Sequence, residues 1–336
     1  MSRAKRLVRA AAWAAVVASF PVWFAAFLVV PFLPIATAAK AVAAAACIAT
    51  GEALFWIGGF VLGAEVIAKF RAPKVTTGVS FASKRVAVIG ATGGLGSAVA
   101  RAVAREGGEV VLIARDEEKL AALGEALAAK TIVSDLRPAS LREAAAACGP
   151  VDHVVCATGA DVRRALDEHT DEDVARQLDV ALAGPVHVAR AFLSLVRAGG
   201  TIALFGGFAD GSLSLPYYSA NVAARAGLAG FVASVNRELA VERRTERLCY
   251  VCPAPADTES ERPFAALWRR MGSAVVAPEN VANFVLQSLL GKRTLAVMGA
   301  STRLLVCLQS LVPPVVDWLV VRRWGPLLKR EFSPSK

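Results

Sequence analysis

Gly90, Thr92, Gly93, Gly94, Leu95 and Gly96 fall in one short run, Gly90-Ala-Thr-Gly-Gly-Leu-Gly96. The run follows the apolar stretch Arg85-Val-Ala-Val-Ile89 and precedes an alanine-rich segment that predicts a helix over 97–106. Strand, glycine-rich turn and helix in that order form a seat for a dinucleotide pyrophosphate. The glycines let the turn tighten and the backbone approach the ligand, while the helix start supplies free N–H groups and a positive dipole end. A second apolar run, Val110-Val-Leu-Ile-Ala114, leads into Arg115. An acidic residue there would hold the ribose 2′-hydroxyl of NAD, whereas arginine suits the 2′-phosphate of NADP. Asp116 is adjacent, so both cofactors stay open, with Arg115 favouring NADP(H) over NAD(H).

Other chemistry-bearing residues are more scattered. Tyr218 and Arg225 lie seven residues apart, about two helical turns, so one helix face would hold both. Packing of Tyr217 and Tyr218 near a helix start is the competing reading. Cys249 and Cys252 form a C-x-x-C, a spacing known from redox pairs. Here it falls in the apolar run Leu248-Cys-Tyr-Val-Cys252, which reads as a buried strand. Residues three apart on a strand point to opposite faces. The histidines at 153, 169 and 187 have no metal-ligand spacing, and no metal site is expected.

The elements that must position these groups alternate regularly. Helices are predicted over 117–129 and 139–147, a strand ends at Ser134-Asp135-Leu136, and another strand covers 152–156. Repeated βαβα units imply an α/β fold, a Rossmann-type doubly wound parallel sheet with helices on both faces. Residues 84–299 resemble the short-chain dehydrogenases/reductases. Gly90, Gly94 and Gly96 match that family's GxxxGxG core, and Asp135 matches its adenine-binding aspartate. Val154-Val-Cys-Ala-Thr-Gly159 stands where the family has its Asn-Asn-Ala-Gly turn and keeps only the glycine. A long helix over 174–196, a strand over 201–205, a helix running into Asn236-Arg-Glu-Leu-Ala, Cys252-Pro-Ala-Pro-Ala-Asp-Thr258 and Ala277-Pro-Glu-Asn-Val-Ala extend the likeness. The resemblance implies that Leu136, Ala157, Gly159, Arg225 and Thr258 also serve the cofactor.

The same resemblance implies a catalytic Asn-Ser-Tyr-Lys tetrad, and here the match fails. Anchored on Arg225-Ala-Gly-Leu-Ala-Gly-Phe231, the alignment puts Asn221 at the tyrosine and Arg225 at the lysine. Gly207 takes the serine position and Ala181 that of the asparagine. A second register would make Tyr218 the tyrosine but puts Val222 at the lysine. The family's tyrosine protonates the nascent alkoxide, helped by a cation that lowers its pKa. Asn221 has no proton to exchange near neutral pH, and Arg225 stays charged.

Both ends of the chain are apolar. The hydrophobic share is 55% and mean hydropathy +0.49, and the excess is concentrated in the first seventy-odd residues and in 304–321. The runs 7–33 and 41–68 are each long enough to span a bilayer as a helix, and Pro31 and Pro34 mark the turn between them. A cleaved signal peptide, with Ala36-Thr-Ala as its cleavage site, is the alternative, but the apolar region is too long and a second one follows. Glu52 lies inside the second run and costs roughly 2.5–3.5 kcal/mol there unless it faces the first helix or the run enters only partly. Gly51, Gly59 and Gly63 would permit close helix approach, the last two at GxxxG spacing. The domains are thus expected as a hairpin (1–72), a linker (73–83), the Rossmann domain (84–299) and an apolar, basic C-terminal segment (300–336).

The net charge of +10 raises the question of nucleic acid. The basic residues instead flank the apolar runs: Arg3, Lys5, Arg6 and Arg9 before the first, Lys69, Arg71 and Lys74 after the second. Arg322, Arg323, Lys329 and Arg330 follow the last. Such flanks suit anionic headgroups, so the expected partner is the lipid bilayer and not nucleic acid, with both hairpin ends and the Rossmann domain in the cytoplasm. Only Lys40 lies in the connecting turn. Pro313-Pro314 and Asp317 break the C-terminal run. It is expected as a broken helix on the membrane surface with Trp318 and Trp324 at headgroup depth, or as a cover for a substrate pocket. A hydrophobic small molecule and a homo-oligomer are further expected partners. Two functions follow: a membrane-bound NADP(H)-binding protein without standard turnover, acting as redox sensor or scaffold, or an oxidoreductase on a hydrophobic alcohol or carbonyl using an unusual acid such as Tyr218.

Overall fold

The structure, a computed structural model, describes residues 3–70, 79–207 and 213–333, with side chains for 11–59, 79–207 and 213–333. The chain divides into two compact units, Met1–Lys74 and Val75–Lys336.

The first unit is a helical hairpin. Helix α1 (Arg3–Leu28) leads through a 3-10 turn at Val30–Phe32, where Pro31 sits, into α2 (Thr37–Phe70). The helices are antiparallel, and small residues set their approach. A Cβ on Gly58 would stand 2.6 Å from the Ala12 carbonyl oxygen, and one on Gly51 3.1 Å from the Trp23 ring. The close approach therefore falls on Gly51 and Gly58. Among the described residues a Cβ on Gly59 would meet nothing within 4 Å, and the side-chain surroundings of residue 63, the other half of the expected GxxxG pair, lie outside the described residues. Lys40 belongs to the first turn of α2 and donates to the Pro31 carbonyl at 2.8 Å. Glu52 does not face α1: it is exposed and accepts a hydrogen bond from Trp56 Nε1, one turn on, at 2.8 Å. Two stretches are long and apolar enough to cross a membrane: Ala11–Phe32, covering most of α1 and the 3-10 turn, and Thr37–Gly59 in α2. Trp13, Phe20, Phe24, Phe27, Trp56 and Ile57 point outward.

The second unit is a seven-stranded parallel sheet of order β3-β2-β1-β4-β5-β6-β7. In chain order it comprises β1 (Arg85–Ile89), α3 (Gly94–Arg105), β2 (Glu109–Ala114), α4 (Glu117–Leu127), β3 (Lys130–Val133), α5 (Pro138–Cys148), β4 (Val151–Cys156), α6 (Asp171–Leu178) and α7 (Gly184–Phe192). Then come β5 (Val196–Phe205), α8 (Ser219–Val241), β6 (Arg247–Cys252), α9 (Ala265–Arg270), α10 (Pro278–Leu290), β7 (Leu295–Val297), α11 (Ala300–Leu311), α12 (Pro313–Leu319) and α13 (Gly325–Phe332). The strands are apolar without alternation because both faces are covered. Val86 and Val88 enter one core with Ala100, Val103, Val285 and Leu289, while Ala87 and Ile89 enter the other with Leu141, Val188, Phe192 and Leu228. Cys249 lies in the first core and Cys252 in the second, as the strand reading of the C-x-x-C requires. Burial pushes the Cys249 thiol up to about 11, which removes it from thiolate chemistry near neutral pH.

Several boundaries differ from the sequence expectation. The helix expected over 174–196 is two helices, α6 and α7, joined by a π-helical segment at Asp179–Ala183. It stops at Phe192 because β5 begins at Val196 rather than 201, with an irregular register against β4. The third strand ends at Val133, before Ser134. The domain's packing reaches into the expected linker: Phe81 is fully buried in the first core and its N–H bonds to the Glu106 carbonyl at 3.0 Å.

The C-terminal helices lie against the domain. Val316, Val320, Trp324, Leu328 and Phe332 form one buried stripe, packed with Leu213, Leu215, Tyr218, Leu267, Trp268 and Met271. The double proline breaks the helix as expected, at Val312. Trp324 is not at a surface: it is buried and its indole donates to the Met271 carbonyl at 3.1 Å. Trp318 is exposed.

Candidate cofactor and substrate site

Strand order reverses between β1 and β4, and a ligand crevice opens at such a switch point, beyond the carboxyl ends of the strands. The glycine run occupies this place. Gly90 ends β1 with φ +78°, and its missing Cβ would stand 3.1 Å from the Ala157 carbonyl oxygen at the end of β4. A Cβ on Gly96 would lie 2.1 Å from the Gly90 oxygen, so a side chain there cannot coexist with the turn. Gly93 caps α3 without a side-chain hydrogen bond, which leaves the first-turn N–H groups for a ligand. Gly94 abuts the Thr258 side chain, where a Cβ would come within 2.7 Å.

A cavity of about 490 Å³ extends from this turn. Of the residues expected to serve the cofactor, Gly93, Gly94, Leu95, Ala157, Gly159, Arg225 and Thr258 line it. Gly90, Thr92, Gly96, Arg115, Asp135 and Leu136 lie outside its wall, in the turn or beyond the ends of β2 and β3. Arg115 is exposed. Asp116 is committed to α4, its carboxylate accepting the Lys119 N–H at 3.0 Å as helix cap. Asp135 accepts from the Arg137 backbone at 2.9 Å and its guanidinium at 2.5 Å. Burial pushes this carboxyl up, but the Arg137 bonds outweigh it and hold the pKa low. Leu136 packs on Gly184 of α7.

The far wall carries a charged network that the sequence reading missed. Asn221 and Arg225, one turn apart on α8, are hydrogen-bonded to each other, and Asn221 also donates to Asp161. Arg225 Nη2 lies 2.7 Å from Asp161 Oδ1. Arg163 Nη2 is 2.9 Å from Asp161 Oδ2 and also bonds Glu261. Burial raises the Asp161 carboxyl, yet Arg225 and Arg163 hold it below the ordinary carboxylate range. The network is therefore two arginines against two carboxylates. Arg163 is itself buried, its guanidinium stacked over Phe264 at 4.5 Å, Tyr218 at 5.5 Å and Trp268 at 5.8 Å from the ring centroids. A sequence signal existed: a largely buried arginine such as Arg225 needs a counter-ion, and Asp161 and Arg163 are charges five and seven residues beyond the apolar strand that ends at Cys156.

Gly207 makes room for the Arg225 guanidinium. A Cβ at Gly207 would fall 2.1 Å from Arg225 Nη1, so a hydroxyl-bearing side chain there and this Arg225 conformer exclude one another. Ala181 is buried in the π-helical segment. Tyr218 also lines the cavity but precedes α8 as its cap instead of lying on the helix. Its ring meets Phe332 edge-on at 5.6 Å. Its hydroxyl is buried with no hydrogen-bond partner among the described residues, and burial pushes its pKa well above the ordinary tyrosine range.

Residues 84–266 match the family model described as short chain dehydrogenase, so the chain belongs to the short-chain dehydrogenase/reductase family of NAD(P)-dependent oxidoreductases. Among curated relatives, a 3-dehydrosphinganine reductase of Arabidopsis thaliana is 27% identical over 194 residues, 54% of this chain and 58% of that protein. This chain thus spans little more than half the length of that relative. A 3beta-hydroxysteroid dehydrogenase of Mediterraneibacter gnavus is 27% identical over 249 residues, 70% of this chain and 84% of that protein. Among solved structures, the fold is shared with an NADPH-bound short chain oxidoreductase of Pseudomonas aeruginosa PAO1, described as containing an atypical catalytic center. That pair has TM-score 0.59 and 24% identity, covering 66% of this chain and 96% of the other. A Burkholderia cenocepacia short chain dehydrogenase in complex with NADP gives TM-score 0.63 and 21% identity over 72% and 98%.

Proposed function

We propose that this chain is a membrane-anchored member of the family that binds NADP(H) without the standard tyrosine–lysine hydride-transfer mechanism, serving as a redox sensor or scaffold. The observation that carries this reading is Arg225, whose guanidinium is tied to Asp161 and Asn221 and occupies the space a serine side chain at Gly207 would need. At the aligned positions Asn221, Arg225 and Gly207 supply neither a phenol, nor a lysine, nor a hydroxyl, which supports that reading.

The residues present fit the cofactor. The glycine turn leaves room that a Cβ would fill, the start of α3 is uncapped, and Thr258 closes over Gly94. These groups would hold the pyrophosphate, with Asp135 and Leu136 toward the adenine. Bound nicotinamide would supply a hydride donor or acceptor. Exposed Arg115 beside a helix-capping Asp116 favours the 2′-phosphate. Membrane anchoring is supported by the outward-facing aromatic and aliphatic side chains of the hairpin, and the basic flanks favour a cytoplasmic Rossmann domain.

A second reading has its own support. The cavity wall includes Leu213, Leu215, Phe264 and Trp268, and the relatives just named include a 3-dehydrosphinganine reductase and a 3beta-hydroxysteroid dehydrogenase. A hydrophobic alcohol or carbonyl would then be the substrate and Tyr218 the acid. The test is to follow NADPH oxidation by purified full-length protein in detergent with long-chain and steroid ketones. The primary reading expects no consumption above the protein-free control. Robust turnover abolished by Tyr218→Phe would replace it with the second.

A further inference from the structure

The C-terminal helices show two apolar faces, and the domain covers only one of them. Opposite the buried Val316–Phe332 stripe, Leu311 is 77% exposed, Val315 58%, Trp318 61% and Val321 63%, with Leu304 a further exposed member on α11. Within α12 a spacing of three puts Val315 and Trp318 on one side, and Leu311 ends α11 just before the break at Val312. A soluble surface seldom presents so many large apolar side chains in one run without a partner. The run ends in Arg322 and Arg323, both exposed, and Lys329 and Arg330 follow, also exposed.

We propose that this face is a second membrane-contact surface, separate from the hairpin, on which α11 and α12 lie in the interface of an anionic bilayer. Apolar residues enter the acyl boundary, Trp318 sits at headgroup level, and Arg322 and Arg323 pair with lipid phosphates. Charge selects lipid over a second copy of this chain. Two-fold pairing through the face repeats the same patch on both copies, bringing the Arg322–Arg323 pairs of both into one interface. Further along the same segment, Phe332 of α13 meets Tyr218 in the cavity wall, so the proposed membrane contact and the cavity lie on one continuous stretch of chain. The inference leans on the function proposed above only for the presence of a bilayer.

The test uses full-length protein with Cys47→Ser and Cys307→Ser, reconstituted into vesicles of phosphatidylcholine with phosphatidylglycerol. A polarity-sensitive fluorophore is placed in turn at Val315→Cys (strap), Ala45→Cys (hairpin) and Glu125→Cys (domain surface), all exposed positions. Nitroxide-bearing lipid is expected to quench the first two and not the third. Adding Arg322→Glu and Arg323→Glu should cut quenching at 315 by about fivefold or more while leaving 45 unchanged. A solvent-exposed label at 315 beside a quenched label at 45 overturns the strap proposal and leaves the hairpin standing. Quenching at 315 without quenching at 45 does the reverse. A label at 315 that is shielded but not lipid-quenched, with cross-linking between copies, assigns the face to self-association and overturns the proposal.

Discussion

Around Arg225 the side chains of the network are coupled rather than independent. The guanidinium reaches Asp161 because Gly207 has no Cβ, and Asn221 bridges the same two groups. Gly207→Ser is therefore expected to displace Arg225 and weaken its pairing, not to restore a serine function. Asp161→Asn should cost about 2–4 kcal/mol in denaturant unfolding, because Arg225 and Arg163 would keep buried charge with less compensation. Arg163→Met removes the cation paired with Glu261 and Asp161 and should cost a comparable amount, about 2–4 kcal/mol. The pH dependence has a definite sign. Burial lowers the His153 pKa from 6.5 to about 4 in the fold, so the unfolded chain binds this proton first. The stabilisation is full above about pH 6.5 and falls as pH drops toward 4, by at most about 3 kcal/mol. Melting temperature measured from pH 7 to pH 4 should decline, and His153→Gln should flatten that decline. The glycine turn was legible from residue types alone, since each glycine answers a backbone requirement. The Asp161–Arg163–Glu261 network was not, because its members are far apart in sequence and only the fold brings Glu261 beside Arg163.

At the scale of elements, the strands were legible because burial on both faces writes them as unbroken apolar runs. The break in the helix over 174–196 was not: the π-helical segment at Asp179–Ala183 and the early start of β5 follow from packing against β4 and α8, not from local propensity. The C-terminal strap was half legible. Its prolines announced the break, but the buried stripe repeats every four residues through a π-helical turn at Val320–Trp324, which a 3.6-residue template blurs. Trp324 is the strap's principal anchor. Trp324→Ala should destabilise the domain by about 3–5 kcal/mol in thermal or denaturant unfolding, whereas Trp318→Ala should leave its stability within about 0.5 kcal/mol.

For the whole molecule, a glycine turn at the sheet's switch point stands beside the Asp161–Arg163–Arg225 network, in a chain that also carries two helices of membrane-spanning length and hydropathy. The two halves of the site separate experimentally. Gly96→Ala should abolish nucleotide binding by closing the turn against the Gly90 carbonyl. Arg115→Ala should weaken NADPH by about tenfold or more and leave NADH nearly unchanged, since a charge-assisted phosphate contact contributes on the order of 1.5–3 kcal/mol. Calorimetric titration of the purified full-length protein with NADPH and with NADH addresses the central claim most directly. Saturable binding of NADPH, tighter than that of NADH, is the predicted result; absence of binding by either nucleotide at millimolar concentration would contradict the account.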